Sequence, residues 1–141
     1  MELKVDDREK NCKIVDELEF LNINCYQERL SICDYCFENT CIELKSMNDF
    51  CSSICDGRMK SQVKRMKEAY GECYVIVYGS VKKRHSKINE NSILGTMASL
   101  VLKDKVKFFW VENEHQVAYI IKRILEENAL EEMKGGEKNV R

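Results

Sequence analysis

SICDYCFENTCIELK, residues 31 to 45, decides the reading of this chain, because it forms a β-hairpin pattern that forces two carboxylates together with a lysine beside them. Two runs rich in β-branched and aromatic residues flank Glu38 and Asn39, and Asn tolerates the left-handed backbone of a tight turn, so Phe37 is expected to pair with Thr40. Counting back from that turn sets Asp34 opposite Glu43. Side chains alternate along a strand, so Cys33, Tyr35, Phe37, Ile42 and Leu44 should share one apolar face, and Asp34, Glu43 and Lys45 the other. Like charges directly opposite each other destabilise a sheet. A divalent cation held by hard oxygen ligands would offset them, with Lys45 as a neighbouring positive charge. The plainer alternative is a solvent-facing polar side on which Lys45 only balances charge.

Around the hairpin, further short segments occur in a fixed order: KVDDRE at 4 to 9, CD at 33 to 34, ELKSMND at 43 to 49 and SSICDGRMKSQVKRMKEAY at 52 to 70. In these segments the chain resembles the nuclease domain of the XPF and Hef family of structure-specific DNA endonucleases. That family's signature is Gly-Asp, a spacer, Glu-Arg-Lys, three residues and Asp, and Asp34, Glu43, Lys45 and Asp49 match it residue by residue. Cys33 stands where the family has glycine, and Leu44 where it has arginine. The same residues satisfy the wider restriction-endonuclease-like pattern of Asp, then Asp or Glu, any residue, and Lys. By alternation, position 44 points away from Glu43 and Lys45, so losing its arginine should remove no metal ligand. SKINENSILGTMASLVLKDKVKFFWVENEHQVAYIIKRI, residues 86 to 124, extends the resemblance, which covers roughly residues 2 to 127.

The resemblance implies an α/β fold with a restriction-endonuclease-like core, a central mixed β-sheet flanked by helices. It implies hydrolysis of phosphodiester bonds in branched, forked or flap DNA during repair or recombination, with Mg²⁺ or Mn²⁺ held by Asp34 and Glu43. Lys45 would orient the attacking water or stabilise developing charge. Asp6 would support Lys45 or a second metal, and Asp49 would complete the signature or cap a helix. DNA contacts would come from Arg8, Arg58, Gln62 and Arg65. Family members work as dimers of nuclease domains, so a homodimer or a heterodimer with a related nuclease-domain protein is expected. A catalytically silent partner that binds DNA is the rival reading. Leu44 favours it, and the retained Asp34, Glu43 and Lys45 oppose it.

Length and composition agree with one nuclease domain over 1–130 and a mobile polar tail over 131–141. A chain of 141 residues, 44% hydrophobic and 33% charged, can bury a core and is neither disordered nor membrane-spanning. The polar start MELKVDDREK lacks the apolar stretch of a secretory signal, which implies an intracellular protein, nuclear if the source is eukaryotic. The net charge is −1, yet Arg58, Lys60, Lys64, Arg65 and Lys67 crowd one helix, and Lys82, Lys83, Arg84, His85 and Lys87 one loop. Such clusters suit phosphate, although charge runs are commonly just solvated faces. Neither His85 nor His115 reads as catalytic.

Eight cysteines raise the question of zinc. Cys33, Cys36, Cys51 and Cys55 give two thiol pairs, and a zinc-dependent interaction module is a third reading. Cys33 and Cys36 differ by an odd number, so on a regular strand they face opposite sides and cannot share one ion.

Elsewhere the order alternates between strand and helix. LKVD at 3 to 6 reads as a strand, and Ile14, Val15, Leu18 and Leu21 mark a helix. Asn48 or Asp49 is expected to cap the helix carrying Phe50 and Ile54. Gly57 permits a bend before a helix striped by Met59, Val63, Met66 and Tyr70. CYVIVYG at 73 to 79 reads as a buried strand, 80 to 89 as a loop, 90 to 103 as a helix, 106 to 111 as a strand and 114 to 127 as the last helix. Gly95, Ala98 and Ser99 offer close approach, and Tyr119, Ile120 and the edge near Trp110 are surplus apolar surface that points to pairing.

Overall fold

The computed structural model describes residues 2–9 and 12–140, the stretch 131–140 by backbone alone. The expected tail at 131–141 therefore falls where side chains, and at Arg141 the residue itself, lie outside the described residues.

Leu3 and Val5 alternate with polar neighbours in β1 (Glu2–Asp6) and send both apolar side chains to one core. Helix α1 (Cys12–Phe20) buries Ile14 and Leu18 against the same core. It ends at Asn22, whose φ of 66° is left-handed, with Ile23 N–H donating to Leu18 O at 3.0 Å. That bond satisfies an orphan carbonyl of the last turn while Ile23 and Leu18 both reach the core. The chain then enters β2 (Asn24–Glu28), an edge strand parallel to β1 that the sequence pattern did not announce. Its residues are exposed except for a half-buried Cys25, so it carries no alternating apolar signal.

The hairpin forms as expected in its register. Strands β3 (Tyr35–Phe37) and β4 (Thr40–Ser46) pair antiparallel with Phe37 opposite Thr40 and Tyr35 opposite Ile42. The turn differs in detail: Glu38, not Asn39, takes the left-handed conformation, with φ 52°. Asn39 instead accepts the Gly71 N–H on its side-chain oxygen at 3.0 Å and the Glu72 N–H on its carbonyl at 3.0 Å. It ties the hairpin tip to the start of β5 (Glu72–Tyr78).

Ser46 caps α2 (Met47–Cys55), its hydroxyl accepting the Asp49 N–H at 3.1 Å, so the cap lies before both residues expected to supply it. Gly57, at φ 76°, makes the bend into α3 (Arg58–Ala69), and Met59, Val63 and Met66 are buried along its stripe. After β5 come α4 (Glu90–Leu102), β6 (Lys107–Val111) and α5 (Glu114–Val140), the last longer than the expected 114–127.

Together the strands make one mixed six-stranded sheet in the order β2-β1-β3-β4-β5-β6, with β1 and β3 antiparallel, β3 and β4 antiparallel, and β4, β5 and β6 parallel. Helices α1 and α5 cover one face, around Ile14, Leu18, Val117, Ile121 and Leu125. Helices α2, α3 and α4 cover the other, around Phe50, Met59, Val63, Ile93 and Leu100. The expected mixed sheet flanked by helices is thus observed. No described helix is long and apolar enough to cross a bilayer.

Candidate active site

The alternation of β4 builds this site. Ile42 and Leu44 point into the core under α1 and α5, which turns Glu43 and Lys45 to the other face, among the α2, α3 and α4 side chains. There they are nearly enclosed, with side-chain exposures of 12% and 7%, and Lys45 Nζ lies 3.6 Å from Glu43 Oε2. A solvated polar face, the plainer alternative, is therefore not what the strand presents.

Asp34 reaches the same place by a less regular route. Cys33 before it has φ 65°, a left-handed conformation that costs an L-residue roughly 1–2 kcal/mol and a glycine nothing. This break in alternation places Cys33 beside the α2 and α3 core rather than with Tyr35, Phe37, Ile42 and Leu44, correcting the expected face. It also explains why a glycine suits position 33. Beyond the break, Asp34 donates its N–H to Ile42 O at 3.1 Å and offers its own carbonyl to Asp6 N–H at 2.8 Å. Its side chain accepts the Leu44 N–H at 2.7 Å.

Electrostatics couple the two carboxylates. Burial first, and then the negative charge of Glu43, pushes Asp34 up to about 8, with the Leu44 N–H and Lys45 opposing. Burial likewise raises Glu43, while Lys45 and, more weakly, Arg65 of α3 hold it down. Glu9, just after β1, raises both. Sequence reading noted Glu9 beside Arg8 but assigned it no role, since its nearness to the pair depends on the turn after Asp6.

Asp6 lies on the adjacent strand and is engaged locally. Burial would raise its carboxyl, yet Arg8 and the Leu30 N–H bring it below the ordinary range. Arg8 Nε donates to Asp6 Oδ2 at 3.1 Å and its terminal nitrogen to Leu30 O at 2.6 Å, so Arg8 clamps Asp6 to the loop after β2. Asp49 sits exposed on the first turn of α2. Arg58 pairs with Asp56 at 2.7 Å on the surface, whereas Gln62, on the next turn of α3, buries a side-chain oxygen that has no protein partner. In the loop after β5, Arg84 donates to the carbonyls of Val81 and Ile88 and so braces the loop from within.

Among the described residues no three His, Cys, Asp or Glu side chains converge to hold a metal by themselves. Two buried hard-oxygen carboxylates that repel each other nevertheless fit Mg²⁺ or Mn²⁺, ions that keep several waters and take further ligands from substrate phosphates. A groove of about 1550 Å³ opens instead at the carboxyl ends of β5 and β6, lined by Lys82, Lys83, Trp110, His115 and Tyr119. It does not contain Asp34, Glu43 or Lys45, and chemistry, not size, marks the acidic pair as the site.

A mixed sheet clad by helices on both faces, with this acidic pair and lysine on its central strands, defines the class as an α/β domain of the XPF nuclease type. Two solved structures share it: XPF from Aeropyrum pernix, with a TM-score of 0.84, 26% identity and coverage of 91% of this chain and 61% of that one, and the same protein in complex with DNA, with a TM-score of 0.82, 25% identity and coverage of 91% and 64%. The ERCC4 domain model matches residues 5–124, and the chain belongs to the ERCC4 domain family. Among curated relatives, the 3'-flap repair endonuclease Xpf of Saccharolobus solfataricus is 31% identical over 124 residues, covering 86% of this chain and 53% of that protein. A putative ATP-dependent RNA helicase of Methanocaldococcus jannaschii is 29% identical over 129 residues, covering 91% of this chain and 16% of that protein. The chain thus spans about half the length of the first relative and a much smaller share of the second.

Proposed function

We propose that this domain is a divalent-metal-dependent endonuclease that cuts phosphodiester bonds in branched, forked or flap DNA. The observation that carries the reading is the enclosed Asp34 and Glu43 pair, whose raised protonation is relieved by a cation, with Lys45 at 3.6 Å from Glu43. Asp34 and Glu43 would hold Mg²⁺ or Mn²⁺, which when bound polarises the scissile phosphate and acidifies a water. Lys45, buried and without a closer partner among the described residues than Glu43, is poised to donate to a phosphate oxygen or to hold the nucleophile. Asp34 is oriented by the Leu44 N–H, and Asp6 and Arg8 brace the adjoining strand end.

Arg65 is the cation whose field reaches Glu43 from α3, and Gln62 one turn earlier carries a free acceptor, so this helix would approach the DNA backbone. Arg58 is the outermost of the three. Asp49 would act from the mouth of the site. The relative named as a 3'-flap repair endonuclease and the neighbour solved with DNA support the substrate class.

Pairing with a second nuclease domain, identical or related, is part of the same reading. Phe109, Trp110 and Tyr119 are 36%, 46% and 51% exposed, a cluster of large apolar surface on β6 and α5, while Ile120 packs partly into the monomer's own core. A silent DNA-binding partner is the second reading, favoured by Leu44 in the arginine position. A cleavage assay on flap, fork and four-way DNA with Mg²⁺, Mn²⁺ or EDTA separates the two. Metal-dependent cutting supports the first, and binding without cutting the second.

A further inference from the structure

The thiols that strand alternation would divide between two faces meet on one. Cys36, Cys41 and Cys73 are register partners across β3, β4 and β5, two residues along the sheet from the Asp34 and Glu43 level. At strand spacing that is roughly 7 Å. Cys33, turned by its left-handed φ of 65°, joins them from the hairpin root. Cys41 Sγ lies in hydrogen-bonding contact with the thiols of both Cys33 and Cys73, while Cys33 Sγ also donates to Tyr35 O at 3.1 Å. The zinc grouping weighed from the sequence is not the one the fold assembles, since Cys51 and Cys55 sit on α2 and Cys55 is exposed.

Packing accounts for Cys41 and Cys73, which are buried and behave as small apolar side chains. It accounts poorly for Cys33. That residue is only half-buried and holds a backbone conformation that glycine would take without strain, so its side chain must contribute something that partial burial does not. It is the thiol of this contact that solvent reaches, and it touches one that solvent does not.

We propose that Cys33 and Cys41 are an oxidation site, a thiol pair that a peroxide converts into a disulfide linking the root of β3 to β4. Hydrogen peroxide oxidises the accessible Cys33 thiol to a sulfenic acid and is itself reduced to water. Cys41 sulfur then attacks the Cys33 sulfur, the S–O bond breaks, and the hydroxide leaves as a second water with the Cys41 proton. Two thiols are oxidised and one peroxide reduced. The bond fixes the separation of residues 33 and 41 at disulfide geometry and draws Asp34, the next residue, away from its bond to the Leu44 N–H. Cleavage would fall as the carboxylate pair is pulled apart, a consequence that rests on the nuclease reading above.

The test uses the full chain treated with hydrogen peroxide, alkylated, and digested with a Glu-specific protease, which cuts after Glu38 and so separates Cys33 and Cys36 from Cys41. Mass spectrometry should find the two peptides joined in the parent and in Cys36→Ser, and not joined in Cys33→Gly, whose glycine suits the left-handed backbone and keeps the fold. Dithiothreitol should separate them. Peroxide should lower flap cleavage by about tenfold or more in the parent, reversibly, and leave Cys33→Gly unaffected. A free, alkylated Cys33 after peroxide, or a link that survives Cys33→Gly, overturns the proposal. If the reduced protein cuts no DNA, the nuclease reading fails, and the joined peptides still decide the oxidation site.

Discussion

Asp34 and Leu44 are joined by a 2.7 Å hydrogen bond from the Leu44 backbone N–H to the Asp34 carboxylate. The position at which the chain departs from the family's arginine therefore serves the site through its backbone, and its side chain serves the opposite core, where Leu44 is 9% exposed. A change of side chain leaves this tether in place. Substituting Leu44→Arg should thus keep the metal requirement unchanged and destabilise the fold by roughly 1–3 kcal/mol through burial of an unpaired charge. Urea unfolding and a cleavage assay on the same preparation check both halves. A stable Leu44→Arg variant that cuts vigorously, beside an inert parent, favours the silent-partner reading.

The proton balance of Asp34 gives a second expectation. Its carboxyl titrates near 8 in the fold and near 3.8 otherwise, so the metal-free fold holds a proton that the unfolded chain releases. This contribution to stability is fully present below about pH 4 and lost as pH rises through about 8. Thermal unfolding in EDTA should show a decline over that window in the parent and a shallower one in Asp34→Asn. Mg²⁺ affinity should rise across the same window, because binding displaces the proton.

Glu9 adds negative field to both carboxylates. Glu9→Gln should therefore shift the pH dependence of metal affinity toward lower pH. Calorimetric titration at several pH values reads this directly, and an unmoved curve removes Glu9 from the site.

On α3 the two arginines should behave differently. Arg65→Ala should weaken DNA binding and reduce its salt slope by about one phosphate contact. Arg58→Ala should do less, because that guanidinium already pairs with Asp56 at 2.7 Å. Binding isotherms at several salt concentrations separate the two.

Self-association through β6 and α5 should appear as a dimer by sedimentation at micromolar concentration. Phe109→Asp or Tyr119→Glu, at side chains 36% and 51% exposed, should dissociate it without unfolding the monomer. A parent that sediments as a monomer across that range argues against pairing with itself.

The hairpin register was legible because Tyr35, Phe37, Ile42 and Leu44 alternate cleanly, and the same pattern fixed which face carries Glu43 and Lys45. Strand β2 was not legible, since an exposed edge strand has no apolar side to betray it. The turn after α1 left a signal in Asn22, a residue that tolerates positive φ. Cys33 misled the alternation argument because one left-handed residue turns the chain over, and a sequence without a glycine there gives no warning. Glu9 and the thiol cluster depend on contacts between strands, which local spacing cannot supply.

The most direct test is Mg²⁺-dependent cleavage of a 3'-flap substrate by the parent and by Glu43→Gln. The account predicts that the parent cuts and stops in EDTA. Glu43→Gln should lose on the order of 10²-fold or more in rate while its metal-free fold is as stable as the parent's or more so, because mutual repulsion with Asp34 is gone. A Glu43→Gln protein that cuts at the parent rate, or a parent that binds the flap and never cuts it, contradicts the assignment of this acidic pair as a nuclease centre.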